Sequence, residues 1–265
     1  MNQVQDAPKA GDAGLFDLYG KVAVITGSSR GIGKAIAERM AQQGAKVVIS
    51  SRKPGPCDEV AAAINARLVG HAIAVPANIS SKEDLQRLMG ETRKAFGKID
   101  ILVCNAASNP TYGSQLDISD DAFSKILTNN VVATNWMIGM VAPEMKDRKD
   151  GSIIIIGSIG GLRGSEVIGA YCISKAADMQ PARNLAKELG PHDIRVNCVA
   201  PGLVKTDFAK TLWDTPAGEE RANTATPLRR LGEPDDLAGV AIYLASRAGA
   251  WTTGQTIVVD GGSTC

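Results

Sequence analysis

Tyr171 and Lys175 stand four positions apart in Tyr171-Cys172-Ile173-Ser174-Lys175, at the start of a helical segment that runs to Leu189. Residues four apart share one helix face. An ammonium beside a phenol favours the phenolate and lowers a pKa that is ordinarily about 10. A tyrosine so placed can donate or accept a proton near neutral pH. Ser158 follows the apolar run Ile153–Ile156, read as a buried strand. A hydroxyl at the carboxyl edge of such a strand is where doubly wound sheets place their ligands, and it can hold a carbonyl oxygen. The same serine also suits a turn cap, and a lone Tyr-x-x-x-Lys arises by chance. The weight lies in their conjunction.

A second constellation is Thr26-Gly27-Ser28-Ser29-Arg30-Gly31-Ile32-Gly33, between a short apolar run and a helix over Lys34–Gln43. Gly27, Ser29, Arg30, Gly31, Ile32 and Gly33 are candidate pyrophosphate contacts: glycines let the backbone approach closely, and the helix N-terminus faces the negative charge. The stretch ending Gly33-Lys34 also resembles the opening of a Walker A loop. That motif continues with a magnesium-binding Ser or Thr, whereas Ala35 stands here. The second strand ends Ser50-Ser51-Arg52-Lys53. A site for NAD places an acid near this point; here neutral Ser51 precedes Arg52, and Arg30 is available nearby. Two guanidinium groups suit a dianionic 2′-phosphate, so the expected cofactor is NADP(H). The bland alternative is that both arginines are solvated surface charges.

Seven short apolar runs must position these groups: Val22–Ile25, Val47–Ile49, Ile73–Val75, Ile101–Cys104, Ile153–Ile156, Val196–Val199 and Ile257–Val259. Nearly unbroken apolar runs read as strands buried on both faces of a parallel sheet. Ser80 and Glu83 read as a capping box before a helix over Leu85–Phe96, closed by Gly97, and Pro234 opens a helix over Asp235–Ala245. Alternating strands and helices predict an α/β, single-domain Rossmann fold: a doubly wound seven-stranded parallel sheet with helices on both faces. Residues 1–16 read as a flexible tail and 17–265 as the domain. The weakly patterned stretch Asp207–Thr226 reads as a long loop, a lid over the active site.

The 29 basic and 28 acidic residues give a net charge of +1 without like-charge blocks, so neither nucleic acid nor a membrane is expected as a partner. Two histidines, His71 and His192, leave little for a metal site or a Ser-His-Asp triad, and no metal is expected. Five scattered cysteines without a C-x-x-C pair read as reduced thiols of a cytoplasmic protein.

These residues together resemble the short-chain dehydrogenase/reductase family over about residues 17–263: the Thr26–Gly33 loop, the Ser158…Tyr171-x-x-x-Lys175 spacing, Asn129-Asn130-Val131, and Pro201-Gly202-Leu203-Val204-Lys205-Thr206. The resemblance implies strand order 3-2-1-4-5-6-7 and a catalytic set of Asn130, Ser158, Tyr171 and Lys175. Tyr171 would be general acid in reduction and base in oxidation. Lys175 would tune it and hold the nicotinamide ribose, Ser158 would polarise the carbonyl, and Asn130 would fix a water linking Lys175 to solvent. Ser51, Arg52, Asn78, Ile79, Asn105, Ala106, Pro201, Gly202, Val204 and Thr206 would complete the cofactor site. Two departures stand out: Ala107 replaces the glycine of the family's N-A-G turn, and Asn78 replaces its usual Asp. Ser50–Lys53, Cys104–Pro110 and Arg229–Gly232 are further similar to the family's NADP-dependent carbonyl reductases of the member-4 type.

The implied reaction is reversible hydride transfer between NADP(H) and a ketone, aldehyde or secondary alcohol. Ser108, Leu162, Leu203, Phe208 and Trp213 are candidate walls of a mostly apolar substrate pocket. A non-catalytic NADP-binding scaffold or redox sensor is the alternative, and loss of Tyr171, Lys175 or Ser158 would be its sign. Enoyl reduction on the same fold is disfavoured, because that branch separates its Tyr and Lys more widely. The resemblance also implies a homotetramer, with a dimer as the alternative, built on helices around Asp121–Met145 and Gly169–Leu189.

Overall fold

A computed structural model describes residues 14–265. The first thirteen residues of the expected tail lie outside the described residues. Its last three do not trail freely, because the Leu15 carbonyl accepts a hydrogen bond from Ala248 N at 3.0 Å.

All seven apolar runs are strands: β1 Val22–Thr26, β2 Lys46–Ser50, β3 Ala72–Ala74, β4 Ile101–Cys104, β5 Gly151–Ile156, β6 Ile194–Pro201 and β7 Thr256–Val259. They form one parallel sheet in the order β3-β2-β1-β4-β5-β6-β7. The connecting helices are α1 Gly31–Gln42, α2 Pro54–Asn65, α3 Lys82–Phe96, α4 Asp120–Leu127, α5 Ala133–Arg148, α6 Gly169–Leu189, α7 Lys210–Trp213, α8 Pro216–Ala225 and α9 Ala238–Ala245.

Strand side chains alternate between two apolar cores. Ala23, Ile25, Val47, Ile49, Ile101 and Val103 pack with α1, α2 and α9. Val24, Val48, Leu102, Cys104, Ile153 and Ile155 face α3, α5 and α6. Both sheet faces are therefore dry, which is why the strands read as continuous apolar runs. The reversal of strand order falls between β1 and β4, so the loops after β1, β4, β5 and β6 converge on one edge.

Three local expectations are corrected. The cap of α3 is Ser81, whose Oγ accepts from Asp84 N at 3.0 Å, while Ser80 donates instead to Asn129 Oδ1 at 2.7 Å. Both serines precede an acidic pair, so spacing alone cannot choose between them. Gly97, at φ 84, does end the helix. Pro234 begins a 3₁₀ turn over Pro234–Leu237 that runs into α9, rather than a single α-helix. The stretch 207–226 is not a loop. It holds α7 and α8, the latter opened by Thr215, whose Oγ1 accepts from Gly218 N at 3.0 Å, with Pro216 at its start. Its weak amphipathic pattern reflects two short helices on the domain surface rather than irregular chain.

Candidate active site

The loop after β1 is pinned from β4. Thr26 Oγ1 accepts from Asn105 N and Ala106 N, both at 3.1 Å, and Asn105 Nδ2 donates to Thr26 O at 2.8 Å and Gly27 O at 3.2 Å. Gly33 is held by close approach: a Cβ there would lie 2.5 Å from Asn105 Nδ2 and 2.6 Å from Gly27 O. Arg30 occupies the N-cap of α1 with extended backbone and no side-chain cap, which leaves the first N–H groups of the helix without intrahelical acceptors. Ser29 and Gly31 complete the turn, and Ile32 packs against the core below it. Arg52 is exposed just past β2, while the Ser51 hydroxyl lies 3.1 Å from Cys57 Sγ. Asn78 is exposed, and its Oδ1 accepts from Ser80 N at 3.2 Å. Ile79 is partly buried against the second core.

From the far side, Pro201 closes β6, and Gly202 N donates to Val259 O at 2.9 Å. Val204 is buried and bridged to Gly232. A Cβ on Gly31 would meet the Thr206 methyl at 3.2 Å, so the Pro201–Thr206 segment lies over the glycine loop. Arg30 is engaged here by Asp207, at 3.0 Å between exposed side chains. Ala107 causes no backbone conflict. The described non-glycine residues with positive φ are Lys149, Asp193 and Arg229, and the neighbouring Ser108 N is tied to Asn130 Oδ1 at 2.8 Å.

Ser158 and α6 come together because a 3₁₀ turn, Ile159–Gly161, lies directly on the helix backbone. A Cβ on Gly161 would sit 2.6 Å from the carbonyl carbon of Lys175 and 2.7 Å from Ala176 N. Ser158 Oγ accepts from Gly160 N at 3.0 Å. The turn-cap reading is therefore correct, and it fixes the rotamer while leaving the hydroxyl proton to donate. Tyr171 is partly buried, with the Lys175 ammonium 5.6 Å from its ring centroid. Burial pushes the phenol above its ordinary pKa; Lys175 and a hydrogen bond with Ser158 pull it down, and burial wins. The lysine acts in the expected direction but does not by itself bring the phenol to neutrality.

Lys175 is buried, and its Nζ donates to Ile156 O and Asp178 Oδ2, each at 2.8 Å. Burial opposes its charge, yet Asp178 and Tyr171 outweigh that and push its pKa up. Asp178 is raised by burial against the pull of Lys175. Asn130 sits in a π-helical segment, Thr128–Val132, between α4 and α5, a distortion that often marks functional sites. It is buried, and its Nδ2 donates to Ser174 Oγ at 2.9 Å and to Ser108 O at 3.1 Å.

The candidate substrate residues divide. The Phe208 ring lies 5.7 Å from that of Tyr171, and Tyr112 donates its hydroxyl to Phe208 O at 3.3 Å. Ser108 is held by both asparagines, its Oγ accepting from Asn129 Nδ2 at 3.0 Å. Leu162, half exposed, follows the Ser158 turn, and Leu203 is partly buried in the segment over the glycine loop. Trp213 belongs to α7, beside the start of α8 at Gly218; the ring contact with Tyr171 comes from Phe208. A cleft of about 390 Å³ between the segments 109–119 and 167–170 reaches Ala170, next to Tyr171, and Asn109, Tyr112, Ser114 and Gln115 give it a polar wall. Sequence reasoning missed Asp178, Asn129 and Ser174. An acid three positions after Lys175 on one helix was the available signal for Asp178; the two others depend on a chain crossing that no spacing reveals.

A family model described as enoyl-(acyl carrier protein) reductase matches residues 27–264. Dehydrogenase/reductase SDR family member 4 of Mus musculus is 42% identical over 246 residues, covering 93% of this chain and 88% of that protein. A 7α-hydroxysteroid dehydrogenase solved with NADH and 7-oxo glycochenodeoxycholic acid is 37% identical, with a TM-score of 0.89, covering 94% of this chain and 96% of that one. A gluconate 5-dehydrogenase from Burkholderia cenocepacia J2315, solved with NADP and tartrate, is 30% identical, with a TM-score of 0.89, covering 94% and 97%. With its sheet order and its Ser158, Tyr171 and Lys175 at the carboxyl edge, this chain belongs to the short-chain dehydrogenase/reductase family, enzymes of nicotinamide-dependent hydride transfer between carbonyls and alcohols.

Proposed function

We propose that the protein is an NADP(H)-dependent carbonyl reductase and alcohol dehydrogenase in which Tyr171 moves the proton. One observation carries this reading: Tyr171, Lys175 and the Ser158 turn meet on one face of α6, on the same sheet edge as the pinned glycine loop. The residues present fit a nicotinamide dinucleotide. The uncapped start of α1 and the close-packed Gly33 suit its pyrophosphate, exposed Arg52 and Arg30 suit a 2′-phosphate, and Asn78, Ile79, Asn105 and Ala106 suit the adenosine side. Pro201, Gly202, Val204 and Thr206 would border the nicotinamide. When bound, that group supplies or accepts the hydride.

The chain's own residues do the rest. Ser158 donates its hydroxyl to the carbonyl oxygen, and Tyr171 Oη gives that oxygen a proton in reduction and removes it in oxidation. Lys175 stabilises the phenolate left behind. Asn130, tied to Ser108 and Ser174, holds α6 against the loop after β4 and would fix the water next to Lys175. Phe208, Leu162, Leu203 and Ser108 would wall the substrate, with α7 and α8 as its lid. Trp213 would brace that lid rather than touch the substrate. The relatives with NADP and with NADH leave the preference to this chain's own charges, and Arg52 without a neighbouring acid supports NADP.

A panel of ketones, aldehydes and one enoyl thioester, followed at the reduced nicotinamide absorbance with NADPH and NADH, tests the reading. Carbonyl turnover with NADPH, abolished in Tyr171→Phe while NADPH still binds, is the expected result. Near-normal activity in that variant, or turnover of the enoyl thioester alone, overturns it. We also place the protein in the cytoplasm as a homotetramer. Five free cysteines support the first. Exposed Val132 and Ile173, on the π-helical segment and α6, support the second. Cell fractionation and sedimentation analysis test these two assignments.

A further inference from the structure

We propose that Asp178 is a positioning residue of the proton-transfer pair: a buried counter-ion that fixes where the Lys175 ammonium points and offsets its charge beside Tyr171. The inference rests on the role given to Tyr171 above. Asp178 and Lys175 are 2% and 3% exposed. Two of the three donors of the ammonium are committed, one to Asp178 Oδ2 and one to Ile156 O at the end of β5. The third is left for the side of Tyr171, whose ring lies over Nζ. Asp178 Oδ1 makes no hydrogen bond among the described residues, so the carboxylate is held in the interior by the lysine and by packing. A buried carboxylate without full hydrogen bonding is costly, and burial on α6 without a function is an unfavourable place for one.

The titratable groups that face the pair are Tyr171 on α6, Cys104 on β4 and Cys198 on β6, with Arg183 acting on Cys198 from further along α6. Burial raises both thiols, so they stay neutral over the working range. On top of the burial that dominates its shift, Tyr171 feels two opposed charges, the ammonium favouring phenolate and the Asp178 carboxylate opposing it. A lysine alone would act at full strength but would be free to swing. The pair gives up part of that strength for a fixed direction.

Asp178→Asn keeps the size and removes the charge. The limb of the pH profile for alcohol oxidation that depends on Tyr171 is expected to move to lower pH by about one unit. A limb that stays in place or moves upward overturns the proposal, even if turnover or melting temperature falls, because packing alone would not shift it. A readout independent of turnover is the ultraviolet tyrosinate titration, with the Tyr171 contribution obtained by difference from Tyr171→Phe; it must move the same way. A thermal-melting cycle covers the case in which Asp178→Asn unfolds. Lys175→Met strands the carboxylate and melts below wild type, and adding Asp178→Asn is expected to restore most of that loss. Equal melting of the single and double variants overturns the proposal. Wild-type protein without hydride transfer would sink the functional reading, while the titration and the melting cycle would still judge Asp178.

Discussion

Phe208, at the foot of the segment carrying α7 and α8, sets its ring 5.7 Å from that of Tyr171, tilted by 47°. Tyr171 is thus screened from one side by a residue on a surface element, and that residue's backbone is tied back to Tyr112. An apolar ring contact of this kind is worth about 1 kcal/mol, and a substrate seated against the Phe208 ring would gain a comparable amount, on the order of fivefold in a binding constant. Phe208→Ala is expected to lower kcat/KM for apolar ketones by at least that factor, mainly through KM. Steady-state kinetics on a matched series of small and bulky ketones checks it; an unchanged KM for the bulky members would remove Phe208 from the pocket.

Arg52 and Arg30 differ in their present engagement. Arg30 is paired with Asp207 across exposed surface, an interaction worth about 0–1 kcal/mol and easily yielded to a phosphate. Hydrogen bonds to a charged group are worth about 1.5–3 kcal/mol, so Arg52→Ala is expected to raise KM for NADPH by roughly thirtyfold and to leave KM for NADH nearly unchanged. Equal effects on the two cofactors would mean that no phosphate is read there.

The glycine loop makes a sharper steric prediction. At Gly33 a methyl group would collide with Asn105 Nδ2 and the Gly27 carbonyl, both part of the network that pins the loop to β4. Overpacking of this kind costs about 1–3 kcal/mol. Gly33→Ala is expected to lower the melting temperature and to weaken NADPH binding by more than tenfold, measured by quenching of nucleotide fluorescence on titration. Retained affinity would show that the loop does not hold the dinucleotide.

Alkaline instability should come from the core thiols. Burial pushes Cys198 from 9.0 to about 12, and Cys104 is raised for the same reason. A thiol held neutral in the fold stabilises it fully below its unfolded value near 9, and the contribution disappears as pH climbs toward about 12. Each such thiol steepens the loss by about 1.4 kcal/mol per pH unit in that window. Urea unfolding across the alkaline range should show a gentler slope in Cys198→Ala than in wild type. An alkylating reagent at neutral pH should label the exposed Cys265 first, since Cys57, Cys104, Cys172 and Cys198 are buried.

Much of this protein could be read from its residues in order. Seven nearly unbroken apolar runs specified a two-sided sheet, because strands covered on both faces are apolar at almost every position. The glycine spacing and the Tyr171–Lys175 interval announced a tight turn into a helix and a phenol beside an ammonium on one helix face, because both depend on local geometry: a turn and one helical repeat. Tertiary structure alone decided the rest. It placed the Ser158 turn on the α6 backbone through the missing Cβ of Gly161, carried Asn130 to Ser174 through a π-helical segment, and brought Phe208 to Tyr171 from a stretch that reads as loop. It also let burial outweigh the lysine's pull on the phenol and buried Asp178 against Lys175. Those outcomes rest on desolvation and on contacts between distant segments, and neither leaves a mark on the spacing of residues along one chain.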